Sequence, residues 1–311
     1  VHIRLAQTYA DLERIVEVIS ADQPTTITAG QMSAWDADRT PGRIGGRWVA
    51  VEGGEIIGYG VAARAAQSAE GHFRIWVVVL PAHRCRGVGA ALYRTALDFA
   101  ASHGASRIAS DVRDNSEQSR GFAERRGFVV DGHSYELGLD LATFDARPYL
   151  GLIDGLRSAG VAFGSLADLG DTDGARRRLH EVNRIVIADI PGSGGDWLSY
   201  EEFVNVICGA DWFRADGQLV AMTGDRLIGL SALQLLPQRQ EAYNLMTGVV
   251  REHRRRGIGL ALKVLAGQYA HSHGARMLRT NNDSGNAPML ALNRRLGYQP
   301  LPGKYELRLD L

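Results

Sequence analysis

Along the chain, short runs of apolar residues with period two are separated by longer stretches with a helical period, and the two kinds of run succeed one another in the same order twice. The first half predicts a strand at His2–Ala6 and a helix at Tyr9–Ile19. A helical or irregular stretch follows at Ile27–Asp38, then strands at Arg47–Val51, Ile56–Ala63 and Phe73–Leu80. A helix from about Gly87 to His103, a strand at Arg107–Val112, a helix at Glu117–Arg126 and two closing strands complete it. The second half opens with a strand at Val161–Leu166 and helices near Ala175–Ala188 and Tyr200–Ile207. Strands near Gln218–Thr223, Arg226–Leu235 and Tyr243–Val250 follow, then a helix with Ile258, Leu262, Leu265 and Tyr269 on one face and Gly274 just past its end. Alternating strands and helices predict an α/β or α+β class with a mixed sheet.

The order repeats because the sequence repeats. HRCRGVG at 83–89 returns as HRRRGIG at 253–259, and Ser102-His103-Gly104-Ala105 returns as Ser272-His273-Gly274-Ala275. Gly127-Phe128 returns as Gly297-Tyr298, and YELGLDL at 135–141 returns as YELRLDL at 305–311. All four pairs share one offset, 170, set by Gly87 and Gly257. So long a period marks a duplicated domain rather than a solenoid. The expected division is an N-terminal domain 1–141, a linker 142–160 with a short helix at Pro148–Arg157, and a C-terminal domain 161–311.

Composition narrows the function classes. Lys plus Arg and Asp plus Glu are both 35, so net charge gives no pull toward nucleic acid or an anionic membrane. Cys85 and Cys208 stand far apart with no CxxC or His/Cys cluster, which argues against a metal centre or a disulfide framework. No apolar run has the length of a membrane span, and the opening VHIRLAQTYADLERI is unlike a signal peptide. The expectation is a cytoplasmic protein with no metal and neither nucleic-acid nor membrane partners. Its oligomeric state is open.

The chemistry-bearing feature is a strand, a basic turn and a helix. Arg254, Arg255 and Arg256 crowd the positive end of a helix dipole, where cations are disfavoured, before Gly257, Ile258, Gly259 and Leu260. A bound anion resolves that conflict, because free N–H groups at a helix start already form an anion site and glycines allow close approach. Arginines add charge-assisted bonds to phosphate oxygens. The first copy has the same arrangement in Arg84, Arg86, Gly87, Val88, Gly89 and Ala90 after the strand that ends at Val79. A dinucleotide fingerprint needs a third small residue where Leu92 and Leu262 stand, and a Walker loop needs Gly-Lys-Ser/Thr, which is absent. A solvated basic turn and a polyanion-binding patch are the remaining alternatives.

The turn, Arg-x-x-Gly-x-Gly at 84–89 and 254–259, resembles the acyl-CoA pyrophosphate loop of the GNAT superfamily of N-acyltransferases. A second signature follows 40 residues on. The second copy offers Asn286, Pro288-Met289-Leu290, Asn293 and Gly297-Tyr298, and the first offers Ser116, Ala123 and Gly127-Phe128. The resemblance covers nearly the whole chain, and tandem members of similar length, such as mycothiol synthase-like proteins, are known. It implies two tandem GNAT folds, each a mixed, mostly antiparallel sheet flanked by helices, with acetyl-CoA as co-substrate. It also implies that backbone near Val249 and Val250 pairs with pantetheine and polarises the thioester, and that Asn286 contacts the CoA arm. A helix N-cap is the second reading of Asn286.

The same resemblance exposes departures. The family's acid, a Tyr that protonates the leaving thiolate, is replaced by Asn293 and Ala123. Asn293 is left to hydrogen-bond the sulfur, which places catalysis in the second copy and leaves the first degenerate or CoA-binding. Glu241 is the candidate base, with a surface charge as the competing reading, and Tyr243 is a weaker candidate. The acceptor side falls on 189–197, where Asp189, Asp196, Glu201 and Glu202 would draw a cationic amine and Trp197 would line a pocket. Trp35 and Thr40–Arg43 hold the similar place in the first copy. The expected activity is transfer of an acetyl group to a primary amine of a small molecule or peptide by direct attack. A non-catalytic acyl-CoA-binding or sensor protein is the alternative.

Overall fold

The computed structural model describes residues 1–22, 27–37, 40–66, 68–189 and 197–311. The end of the stretch expected to reach Asp38, and residues 190–196 of the expected acceptor loop, lie outside the described residues. The elements run β1 His2–Leu5, α1 Tyr9–Asp22, α2 Ala29–Ala37, β2 Ile44–Glu52, β3 Glu55–Arg64, β4 His72–Val79, α3 Val88–Ser102, β5 Arg107–Arg113, α4 Glu117–Glu124 and β6 Val129–Asp140. Then come α5 Leu150–Ser158, β7 Ala162–Ser165, α6 Asp173–Ile187 and α7 Tyr200–Glu202, which continues as a π-helical turn Phe203–Cys208. β8 Gln218–Thr223, β9 Arg226–Leu236, β10 Glu241–Val249, α8 Ile258–Ser272, β11 Met277–Asp283, α9 Ala287–Arg295 and β12 Gln299–Asp310 complete the chain.

The expected order holds in both copies, with one correction. Each copy closes on a single twelve-residue strand, β6 or β12, and not on two. Neither Gly132 nor Gly138 has the positive φ that would turn the chain, so extended backbone runs through.

The chain forms two compact units, residues 1–133 with 304–311 and residues 134–303. In the first, the strand order is β1-β2-β3-β4-β5 with the Lys304–Asp310 part of β12 closing on β5. In the second, the Ser134–Asp140 part of β6 closes on β11, followed by β10, β9, β8 and β7. The closing segments of the repeat are therefore exchanged: YELGLDL completes the sheet of the second unit and YELRLDL that of the first. Both carry the same alternation, so either fits the same place. Among the described residues, the pairings within each unit are antiparallel except β4 with β5 and β10 with β11.

Alternation along β2 divides the first unit's core between the two sheet faces. Trp48 and Ala50 pack with Leu92, Tyr93 and Ala96 of α3, while Val49 and Val51 pack with Ile15, Ile19 and Met32 of α1 and α2. The second unit has one continuous cluster in which Leu179, Val182 and Val186 of α6 and Leu262 and Ala266 of α8 meet the sheet. No helix among the described residues is long and apolar enough to cross a membrane.

Candidate active site

The one parallel pairing in each sheet is short, and that shortness creates the site. β10 pairs with β11 only from Glu241 to Tyr243, opposite Met277 to Arg279. Beyond Tyr243, β10 keeps only β9 and β11 keeps only β6, so the two strands part into a fork. Asn244 is the first residue past the parting, and the Thr280 hydroxyl donates to its carbonyl at 3.0 Å. A bulge between Asn244 and Met246 shifts the β9 register there. In the first unit β4 leaves β5 after Arg74, but its register with β3 is unbroken.

Where β10 ends, the turn enters α8. Arg255 has φ 59 and Gly257 has φ 88; in the first copy Cys85 has φ 58 and Gly87 has φ 84. A non-glycine residue in this region costs roughly 1–2 kcal/mol. Two such residues at matching places form a concave nest of N–H groups suited to an anion. No side chain caps α8 or α3, so the first N–H groups of both fifteen-residue helices are left for another acceptor. A Cβ at Gly257 would meet Leu152 Cδ1 of α5 at 2.7 Å, a terminal methyl that can turn aside, and Gly87 faces open space, so the positive φ is what calls for glycine in both turns.

The arginines divide into two kinds. Arg254 Nε donates to the Val249 carbonyl at 2.8 Å and Arg84 Nε to the Val79 carbonyl at 3.0 Å, so the first arginine of each turn ties down its strand. Arg255 and Arg256 are exposed, with Arg256 Nη1 3.2 Å from His253 Nδ1. Arg86 pairs with Glu52 at 2.9 Å. Asp189, expected to draw an amine, is instead held by Arg251 and Arg254, which keep its carboxyl below the usual range. Glu202 closes a capping box with Ser199. Trp197 packs against the second unit's core, and its Nε1 is buried without a hydrogen-bond partner.

Behind the fork lies a polar cluster that the sequence reading missed. Lys263 of α8 is 1% exposed, and its Nζ donates to Asn244 Oδ1 at 2.9 Å and lies 4.9 Å from the centre of the Tyr298 ring. Asn244 Nδ2 donates to Ser231 Oγ at 3.0 Å, and the Thr247 hydroxyl donates to Asn244 Oδ1 at 2.9 Å. Burial lowers the Lys263 pKa to about 7 and raises that of Tyr298. The Tyr298 hydroxyl and Asn293 Oδ1 are buried without hydrogen-bond partners. Each such group costs about 1–3 kcal/mol. A signal was present: Lys263 interrupts an otherwise apolar run from Ile258 to Ala266.

The offset of 170 shows that the fold does not require this cluster. At the positions matching Lys263, Asn282, Asn293 and Tyr298, the first copy has Tyr93, Val112, Ala123 and Phe128 in its apolar core. The bulge takes up one residue of β10, so Asn244 matches Ile75, which is buried in that same apolar core.

The remaining expected residues are placed as follows. Asn286 caps α9, its side chain accepting from the Met289 N–H at 3.3 Å, and Ser116 caps α4 likewise. Asn293 is fully buried and donates to Asn282 Oδ1 at 2.6 Å. The Val250 N–H bonds to the Ile228 carbonyl at 3.0 Å. By alternation the Val249 N–H points the other way, into the fork. Glu241 lies at the closed end, held by Arg239 at 3.0 Å and Arg279 at 3.5 Å. Eight residues of strand, about 26 Å, separate it from Val249, so it is not brought together with the turn. Tyr243, beside it, lies 3.4 Å from Glu136 Oε2, and burial raises its pKa.

Comparison with known proteins agrees with this architecture. The family model described as acetyltransferase (GNAT) family matches residues 12–128 and 185–298. A curated mycothiol acetyltransferase of Corynebacterium glutamicum is 31% identical over 90 residues, which is 29% of this chain and 30% of that protein. The match thus spans less than a third of the relative's length. A tandem GNAT protein from the clavulanic acid biosynthesis pathway superposes with a TM-score of 0.75 at 18% identity, covering 99% of this chain and 98% of that one. A GCN5-related N-acetyltransferase from Sphaerobacter thermophilus gives 0.72 at 16% identity, covering 99% and 95%. At these identities the likeness is one of fold.

Proposed function

Because the chain belongs to the acetyltransferase (GNAT) family, we propose that its second copy transfers an acetyl group from acetyl-CoA to a primary amine of a small molecule or peptide by direct attack on the thioester. The observation that carries this reading is the fork in β10 and β11 opening toward an uncapped helix start. The N–H groups of Gly257, Ile258, Gly259 and Leu260 would hold the pyrophosphate, with Arg255 and Arg256 adding charge and Arg254 fixing the strand end. The Val249 N–H would meet the pantetheine amides, and Asn286 would border the arm. The bound acetyl-CoA supplies the activated acyl carbon. In the first copy, Val79, Arg84, Arg86, Gly87, Val88, Gly89 and Ala90 would form a second CoA-binding turn. Glu241 and Asn293 have no assigned step in this reading, given their ion pairs and burial.

A length argument supports the placement. The arm of CoA between phosphate and sulfur has roughly 14 bonds, equal to about five residues of extended chain or ~16 Å. Laid from the start of α8, that reach carries the arm past Val249 and into the fork that opens toward Asn244.

The test is calorimetric titration with acetyl-CoA, together with thiol release across a panel of amines. The Arg255→Glu/Arg256→Glu double variant should lose roughly tenfold or more in affinity at the second site, because charge-assisted phosphate bonds are removed and repulsion added. Unchanged affinity would overturn the placement. A non-catalytic acyl-CoA sensor is the second reading, supported by Asn293 being buried and committed to Asn282. Tight binding with no thiol release for any amine would favour it.

A further inference from the structure

Three side chains of the second unit carry polar groups into its core. Lys263 lies against the Tyr298 ring, and Asn293 is buried with its Nδ2 on Asn282 Oδ1. The Tyr298 hydroxyl and Asn293 Oδ1 have no hydrogen-bond partner, and among the described residues Nζ donates to one acceptor, Asn244 Oδ1. The first copy builds the same elements with Tyr93, Phe128 and Ala123, so neither helix packing nor sheet closure demands the polar set. Natural cores keep such groups where they serve a site.

The location identifies what they serve. Lys263 is bonded to the residue at which β10 and β11 part, at the inner end of the fork along which the CoA arm would lie. We propose that Lys263 is the cation that faces the CoA sulfur in the second copy and receives the departing thiolate. This rests on the acyl-CoA reading above.

The proton balance closes within the site. As the acceptor nitrogen bonds to the acyl carbon, the carbon–sulfur bond breaks and its electron pair passes to sulfur. Lys263, neutral before the reaction, takes the proton that the new amide nitrogen sheds and, as the cation so formed, gives an Nζ proton to that sulfur. Among the described residues, the titratable group set against Nζ is Tyr298; Ser231 and Thr247 from β9 and β10 are neutral neighbours of Asn244. Burial favours the neutral amine in the free protein, and an unperturbed thiol near 8.5 lies close enough for the pair to share a proton.

The test needs no acceptor. CoA, desulfo-CoA and acetyl-CoA are titrated by calorimetry into the full chain carrying Gly87→Glu, which blocks the first turn, with and without Lys263→Met. The bound thiol is titrated by its thiolate absorbance. With Lys263 present, CoA should bind roughly tenfold more tightly than desulfo-CoA, and its thiol pKa should fall by about one unit. Lys263→Met should abolish both effects while acetyl-CoA affinity changes less than about threefold. An equal CoA preference and thiol pKa in the two proteins would overturn the proposal. Absence of binding by all three ligands to the Lys263 protein would instead sink the acyl-CoA reading and this proposal with it. Lys263→Gln, which still donates to Asn244, repeats the comparison if Lys263→Met fails to fold.

Discussion

A lysine with no carboxylate bonded to it makes stability depend on pH in a direction opposite to that of an ion pair. The Lys263 pKa is about 7 in the folded chain against 10.5 for the unperturbed group, so between these values the unfolded chain binds more protons. Stability therefore rises with pH across pH 7 to 10.5, and the cost is fully present below 7. Relative to Lys263→Met, the wild type should gain about 3–5 kcal/mol over that window at 1.36 kcal/mol per unit. Urea denaturation of both proteins at pH 7 and pH 10 measures the difference, and parallel pH dependences would contradict it. At this scale the sequence was legible where residues came as motifs. The glycines and arginines of the turn stood out because cations collect at the wrong end of a dipole. Lys263 comes from α8, Asn244 from β10 and Tyr298 from the turn before β12, and only folding brings them together. Glu241 looked eligible by residue type, but β10 runs it to the far end of the fork, between two arginines.

At the scale of elements, the packing of α6 on β10 fixes the outer wall of the fork. A Cβ on Gly248 would lie 1.9 Å from Val186 Cγ1, too close for any rotamer change to absorb without moving the helix. Gly248→Ala should cost about 1–3 kcal/mol by overpacking, read as a fall in melting temperature, and should weaken acetyl-CoA binding as β10 shifts. A variant as stable as wild type would show that α6 adjusts freely. Element order was legible because the apolar period changes from two to that of a helix and back. The bulge was not, since Asn244-Leu245-Met246 alternates no differently from an unbroken strand. The two closing strands expected per copy were one because extended backbone runs unbroken through each twelve-residue stretch, Gly132 and Gly138 of β6 included.

For the whole molecule, the duplication was legible from one shared offset, but the exchange of closing strands was hidden by the duplication itself. YELGLDL and YELRLDL have the same pattern, so nothing in either says which sheet it joins. The structure gives Lys304–Asp310 to β5 and Ser134–Asp140 to β11. Truncation after Gly303 should therefore damage the first unit although the deleted residues belong to the second repeat. Hydrogen exchange at Arg107–Arg113 should rise steeply while Met277–Asp283 stays protected. The reverse pattern would refute the pairing.

The exchange also sets a timetable for synthesis. Residues 134–303 are contiguous, so the second unit has all its strands as soon as Gly303 is made. The first unit, begun earlier, waits with β5 as an open edge while about 190 further residues are added, roughly 10–40 s at 5–20 residues per second. An unpaired strand edge is a template for wrong partners, and the nearest wrong partner is the copy's own YELGLDL, already made and matching in pattern. A nascent chain in which that segment folds back onto β5 would trap the first half in a single-copy form and leave β11 without its neighbour. The duplicated protein thus carries a built-in competitor for its own assembly, settled by whether β11 claims the segment before β5 does.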